Sequence, residues 1–494
     1  MREILTLQLG NLGNYAATHF WNAQESYFTY GEHEESAVDH NVHWRAGVGA
    51  DGAETFLPRT VIYDLKGGFG SLRKMNALYD AGTEVDGAAA SLWNRAPAIH
   101  KQQPLEPSAY QQSLDAGTEP ARLTTSNVRY WSDYSRTYFH PKSAVQLYDF
   151  ELHSSIRPFE SFSMGTELFS SLDSEQDIVD RDWRPFVEEC DLMQGMQVFT
   201  APDDAWGGFG ASYLEQLRDE YPKSCIWVWA CQSPMTDVAR EKRQLRMANI
   251  AQSLHQGYSQ ASILVPLAVP PEASSASLPR LDRSSPWHNS ALFAAVAESA
   301  SIPTRLRDGG GHVSMSDMAE SLNRSGNQTL VSAGMSPFPD PAEDENDKEA
   351  IRLFHIGAAA ADAKTKNRRN RIFGQITVCR GPLDNTTDRT SASPRRSRSG
   401  NPVIKRYATA TEFPLLDSYP HIYSSDAGKT SMPIHTVLRT DTSIRVQLRA
   451  LRAQATRRLI GLDEREALGN GIAEMADAYQ DDWSSGSDDD DDDI

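Results

Sequence analysis

The chain opens on an apolar run, Ile4, Leu5, Leu7 and Leu9. It stops at Gly10-Asn11-Leu12-Gly13-Asn14, and an amphipathic stretch with Tyr15, Ala16, Phe20 and Trp21 follows. This pattern predicts a buried strand, a tight glycine turn and a helix start. Such a turn aims backbone N–H groups and a helix N-terminus at one point, so Gly10, Asn11, Gly13 and Asn14 are candidate phosphate contacts. The pattern returns at Phe56 to Leu65, a strand entered through Pro58 and closed by the Gly67 to Gly70 turn. It returns again where the strand Gln197-Val198-Phe199-Thr200 runs into Asp203-Asp204-Ala205-Trp206-Gly207-Gly208-Phe209-Gly210. We read the latter as a loop feeding a helix from Ala211 that Pro222 stops, with a buried strand at Cys225 to Cys231. Gly207, Gly208 and Gly210 are the second set of candidate phosphate contacts.

Further along, Glu175 to Gln194 has helical spacing, and Pro185 kinks or restarts this helix. Ala239 to Gln256 reads as a basic amphipathic helix, Ser262 to Ala268 as a strand, and Pro286 to Ala300 as an apolar helix. Ser443 to Leu448 alternates like a strand, and Asp463 to Tyr479 carries Leu468, Ile472, Met475 and Tyr479 on one helical face. Strands alternating with helices indicate an α/β fold, a mostly parallel sheet flanked by helices, with a divergent α+β part at the C-terminal end. The expected segments are 1–115, 120–300, a C-terminal region 301–480 with disordered loops at about 337–348 and 385–402, and a disordered tail 481–494. The aromatic stretch Asn127 to Pro141 is expected to pack a subdomain on the sheet rather than to stack nucleotide bases. Phe413 to Tyr423 is either a docking motif or a core crossing. Ser391 to Gly400, rich in Arg and Ser, reads as a solvated loop, with a nuclear signal, an RNA contact or a phosphorylation site as alternatives.

Charge and motifs narrow the function. The net charge is −19 over 494 residues, and the last fourteen, Asp481 to Ile494, hold eight Asp and no base. The remainder is still acidic, which argues against direct nucleic-acid binding. Cys190, Cys225, Cys231 and Cys379 show no CxxC spacing and read as reduced thiols. The best membrane candidate, Ile263 to Val269, is short and contains Pro266, so no transmembrane segment is expected. The letters GxGxxG at Gly47 to Gly52 are followed by Pro58 and read as a loop. His40 and His43 lack a third ligand at a recognisable spacing, and no metal is expected. Gly428-Lys429-Thr430 lacks the opening glycine of a P-loop, since Tyr423 stands there. We find no GxSxG, HExxH or catalytic Cys/His pair, and assign no catalytic residue.

Met1 to Trp21, Phe56 to Gly70 and Asp203 to Pro222 resemble the first strand-loop-helix, the second-strand region and the signature-loop region of tubulin. Two departures matter. Asn11 and Leu12 replace the Gln and Cys that lie against nucleotide there, and Trp206 and Phe209 stand where glycine or threonine backbone wraps phosphates. Asp203 and Asp204 would repel phosphate, and Asn249 has no acid after it to complete hydrolysis. With Tyr130 to Pro141 and Phe413 to Tyr423 added, the chain most resembles the Misato family. That resemblance implies a non-enzymatic tubulin-like protein for the partitioning, distribution and inheritance of mitochondria and their DNA. It implies a place on the cytosolic face of the mitochondrion and in the cytoplasm. The partners it implies are proteins: tubulin, the cytosolic chaperonin or mitochondrial surface proteins. No cofactor is expected, although the two glycine segments keep GTP in view. The alternatives are a GTP-binding polymerising GTPase and a folding or assembly partner of tubulin.

Overall fold

Strand β1 (Glu3–Leu9) lies at the centre of the main sheet, and all seven of its residues are buried. Ile4, Leu5, Leu7 and Leu9 supply the apolar part that a parallel strand covered on both faces needs, and the buried polar side chains are bonded: Gln8 Nε2 donates to the Thr60 hydroxyl (2.8 Å), and the Thr6 hydroxyl accepts from Gln197 Nε2 (2.8 Å). The strand passes directly into α1 (Gly10–Glu25), with Gly10 at φ +77° making the turn that a side chain would strain. The computed structural model describes residues 2–29, 35–49, 52, 54–72, 105–271, 277–307, 313–337, 351–356, 370–382, 402–424, 426, 428–458 and 465–480. The Arg/Ser stretch 391–400, nearly all of both expected loops and the acidic tail 481–494 lie outside the described residues.

A hairpin of β2 (Trp44–Val48) and β3 (Glu54–Pro58) precedes β4 (Thr60–Lys66). The stretch read as one strand through Leu65 is therefore two. Arg59 divides them: its N–H donates to the His43 carbonyl in the hairpin (2.8 Å), and its carbonyl accepts from Thr6 in the main sheet (2.9 Å). Gly47 lies within β2, so the GxGxxG letters fall in this hairpin.

Next come α2 (Ala109–Asp115), β5 (Ala144–Glu151) and α3 (Phe162–Gln176). The helix expected over 175–194 is broken. Asp177 takes a left-handed conformation at φ 49°, a π-turn spans Val179–Trp183, and α4 (Arg184–Glu188) carries Pro185 in its first turn. There its missing N–H leaves no bond unmade. The chain continues through β6 (Met193–Thr200), α5 (Ala205–Glu220), β7 (Cys225–Cys231), α6 (Arg240–Gln260), β8 (Ile263–Leu267), α7 (Pro286–Ser301) and α8 (Met315–Leu322). Six strands form one parallel sheet in the order β5-β4-β1-β6-β7-β8. Residues 2–115 and 120–300 thus share a single sheet. Its order reverses between β1 and β6. Doubly wound sheets take ligands in the crevice beyond the carboxyl ends of the strands at that reversal.

The C-terminal part holds β9 (Ser332–Pro337), β10 (Ile351–Arg352), β11 (Ile372–Arg380), β12 (Val403–Thr409), β13 (Phe413–Pro414), β14 (Ser431–Met432) and β15 (Ile434–Asp441). It ends in α9 (Ser443–Arg458) and α10 (Arg465–Asp477). Five of these strands make a mixed sheet ordered β10-β9-β15-β11-β12. The strand expected at Ser443 to Leu448 is the start of a helix. Ile444, Leu448, Leu451 and Ala455 are buried at helical spacing, and a six-residue window cannot separate the two periods. Phe413 to Tyr423 crosses the core. Trp287 Nε1 donates to the Ser418 carbonyl (3.1 Å), and the Tyr419 hydroxyl donates to the Ala291 carbonyl (3.0 Å). The aromatic stretch behaves likewise, with Trp131, Tyr134 and Phe139 buried in the main core.

Candidate functional site

The two glycine segments meet at the sheet reversal, where α1 leaves β1 and α5 follows β6. A Cβ built on Gly10 would overlap the indole of Trp206. The side-chain position at the turn from β1 into α1 is therefore taken by a side chain from α5. Trp206 is 2% exposed and stands edge-on to Phe159 (5.4 Å between ring centroids) and Phe209 (5.5 Å).

The expected loop at 203–210 is mostly helix. Asp204 caps α5 by accepting from the Trp206 N–H (2.8 Å), so Gly207, Gly208 and Gly210 lie inside the helix. Their small size is used against other helices. A Cβ at Gly208 would overlap the Phe162 carbonyl oxygen, and one at Gly207 would overlap the Ser253 hydroxyl. Gly165 of α3 answers from the other side, where a Cβ would overlap the Ala205 carbonyl. Helices α3 and α5 approach so closely that only glycine fits at Gly165 and Gly208, and α6 rests its Ser253 side chain on Gly207. Gly210 is looser, 3.1 Å from Leu9 Cδ1.

In the first segment, Gly13 lies against β6, with a built Cβ 2.8 Å from the Phe199 carbonyl. Asn11 is half-buried. Asn14 turns away from the crevice: its Nδ2 donates to Asp64 Oδ2 (2.8 Å) and to the Tyr63 carbonyl (3.1 Å). The Asp64 carboxylate also accepts from Trp131 Nε1 (2.9 Å) and from the Leu65 N–H (2.8 Å). Burial pushes its pKa up to about 6, against the pull of those bonds. Gly68 in the Gly67–Gly70 turn closes over this carboxylate, which a Cβ there would overlap.

The crevice is acidic. Asp203 is buried and Asp204 half-buried, and loss of hydration pushes both carboxyls upward, Asp204 further by the Asp203 charge. Arg246 Nε stands 3.6 Å from Asp203. Asn249 Nδ2 donates to the carbonyls of Glu160 (2.7 Å) and Asp203 (3.0 Å), and its Oδ1 accepts from the Phe162 N–H (3.0 Å). Its amide is fully engaged in tying α6 to the two loops it faces.

Residues 2–116 match the Misato Segment II tubulin-like domain, and residues 120–306 match the Tubulin domain. The chain is 56% identical to Protein DML1 of Gibberella zeae and 46% identical to Protein dml-1 of Neurospora crassa, each covered over 100% of both chains. A more distant relative, Protein DML1 of Yarrowia lipolytica, is 28% identical over the same full span. The chain belongs to the Misato family of tubulin-like proteins.

Within this tubulin-like fold the Trp206 indole lies against Gly10, and Gly208 packs against α3. The histidines are equally committed. His40 stacks on Phe28 at 3.8 Å, and His43 packs edge-on to Phe20 and Trp21. Burial lowers both imidazoles, His40 to about 4. Among the described residues no three metal-ligating side chains converge, and no helix is long and apolar enough to cross a membrane. Sequence reasoning missed Asp64 with its partners Asn14 and Trp131. The available signal was an acid closing an otherwise apolar strand.

Proposed function

We propose that this Misato-family chain is a non-enzymatic tubulin-like scaffold whose nucleotide crevice is closed from within. One observation carries the reading: the Trp206 indole lies against Gly10, where β1 turns into α1. An indole there removes the approach to the α1 N-terminus. The process it serves is the partitioning and inheritance of mitochondria and their DNA, acting from the cytosolic face through protein partners. Family membership supports this part of the reading, through the role the family resemblance implies.

The test is GTP binding to nucleotide-stripped, full-length protein shown to be folded by circular dichroism, with Trp206→Ala beside it. The expected result is no saturable GTP binding to the wild type. Micromolar binding to the wild type would overturn the scaffold reading and favour a GTP-dependent polymeriser. In cells, depletion should leave daughter cells with unequal mitochondrial DNA. Equal inheritance after depletion would remove the mitochondrial role.

A further inference from the structure

We propose that the open edge of β5 is a docking groove for an extended peptide strand from a partner protein. The peptide lies antiparallel to β5, with a basic residue beside Asp149 and an acidic one beside Lys142. The groove is two strands away from β1, and its occupancy is independent of whether the Trp206 crevice takes nucleotide.

The two edges of the main sheet differ. At β8 the outward peptide groups are bonded: Leu264 N–H donates to the Thr329 carbonyl (2.8 Å), Val331 N–H to the Leu264 carbonyl (2.9 Å) and Ala268 N–H to the Leu353 carbonyl (2.7 Å). At β5 the Ile62 N–H donates to the Ser143 carbonyl (2.7 Å), which fixes the parity of the strand. Ser143, Val145 and Leu147 turn their peptide groups to β4, so Ala144 and Gln146 present theirs outward. Neither has a backbone partner among the described residues. Exposed edges of this kind invite strand addition.

This edge is recessed. A cleft of about 720 Å³ runs along it, lined by β5 from Ala144 to Asp149. One wall carries Leu172 and Arg181, on the face where the Tyr63 hydroxyl donates to Asp182 (2.7 Å). The other carries Phe69 and Leu72, on the face where Phe69 packs edge-on to Trp131 (5.6 Å). Walls on both faces exclude the edge of a second folded sheet and admit a single extended chain. Apolar wall residues with main-chain donors and acceptors on the floor are the components of strand addition to a groove.

Charge fixes the polarity of the occupant. Arg181 and Asp182 neutralise one another at 2.7 Å. Lys142, two residues before β5, and Asp149, in the irregular stretch where the β4 pairing passes from Leu147 to Glu151, are exposed at the two ends of the cleft, and neither forms an ion pair among the described residues. A chain running antiparallel with its base first and its acid last satisfies both. Tyr148, 75% exposed, adds an apolar surface beside the groove.

The probe is the fluorescent peptide Lys-Val-Thr-Val-Thr-Glu, titrated into the full-length protein by anisotropy. We expect saturable binding that weakens about tenfold in Lys142→Glu and in Asp149→Lys. Both substitutions lie on the exposed rim, where folding is unaffected. The charge-exchanged peptide Glu-Val-Thr-Val-Thr-Lys should bind the double variant in preference to the original. N-methylating the valine amides or the threonine amides should give opposite results, because only one set faces β5. Equal binding of both N-methyl peptides, indifference to the rim variants, or no saturable binding to folded protein would each overturn the proposal. So would a dimer of this chain that Lys142→Glu dissociates, which would make a second copy the occupant.

Discussion

Replacing Glu298 with alanine should detach the C-terminal sheet from the helices it rests on. The carboxylate is 0% exposed. It accepts from Arg305 Nη2 (2.8 Å), from the Tyr27 hydroxyl (2.8 Å) and from Arg380 Nη1. These partners arrive from three places: Tyr27 just after α1, Arg305 after α7, and Arg380 at the end of β11. One carboxylate thus holds two fully buried guanidiniums. The excess positive charge is spread onto carbonyls, since Arg380 also donates to Thr411 O (2.9 Å) and Glu412 O (2.6 Å), and Arg305 to Glu298 O (3.2 Å). Carbonyl dipoles do not replace a counter-charge. Removing one partner of a buried pair costs about 3–5 kcal/mol, and here two cations lose the same anion, so the upper end of about 5 kcal/mol is expected. Burial alone would raise the Glu298 carboxyl, but Arg380 and Arg305 outweigh it and hold the group below its ordinary 4.5. A depressed folded pKa stabilises the fold above pH 4.5 and loses that contribution as pH falls through the lower folded value. Urea titrations followed by tryptophan fluorescence should show a lower midpoint for Glu298→Ala at neutral pH, with a flatter decline below pH 4.5. A triple variant, Glu298→Ala with Arg305→Met and Arg380→Met, should recover part of the loss by removing the orphaned charges. A loss under about 1 kcal/mol for Glu298→Ala, or an acid decline matching the wild type, would refute the clasp.

Trp206→Ala should lower stability by about 3–5 kcal/mol, because the Phe159 and Phe209 rings and the turn at Gly10 would face an unfilled space. A melting temperature within a degree or two of the wild type would mean the indole is not a packed plug. Asp64 should give the opposite pH slope to Glu298. Its folded pKa is pushed up from 3.8 to about 6, so the folded state holds a proton the unfolded state has lost. Stability should therefore fall by about 3 kcal/mol as pH rises through that window and then level off. Asp64→Asn should flatten this decline, and a melting temperature that rises across pH 4–6 in the wild type would contradict the assignment.

The elements legible in the sequence are those whose burial is complete and whose period is long. β1 announces itself by four apolar residues within seven, Ile4, Leu5, Leu7 and Leu9, and α7 by the apolar succession from Ala291 to Ala297. Both have little choice of conformation once buried. The start of α5 was misjudged because glycine scores as a loop former when neighbours are unknown. Here the helix is set by the Asp204 cap and by its neighbours: the α3 backbone at Phe162 leaves no room for a Cβ at Gly208, and the Ser253 hydroxyl of α6 lies against Gly207. The C-terminal sheet was opaque for another reason. β15 pairs antiparallel with both β9 and β11, and β12 lies parallel to β11, so each ladder joins strands distant in sequence. No local pattern encodes such a register. Glu298 left a readable trace that was not used. It is the sole charged residue in the helix Pro286–Ser301, and a lone charge in an apolar helix demands a buried partner of opposite sign.

The glycines decide how the crevice should be read. A phosphate-binding turn needs glycine so that backbone N–H groups can approach an anion, and the same residues permit helices to touch. Counting glycines cannot distinguish the two uses, because each leaves the same letters. The distinction lies in what occupies the volume next to the missing Cβ. At Gly10 that volume holds an indole, at Gly208 a carbonyl oxygen, and at Gly13 another carbonyl. Where a carbonyl oxygen fills that volume, the glycine lets one backbone segment lie against another. An indole removes water and ligand alike. The chemistry that marks a nucleotide site in a tubulin-like sheet is here spent on packing α1 against β6 and α5 against α3. What the fold offers a partner lies elsewhere, at an edge where peptide groups still lack partners among the described residues.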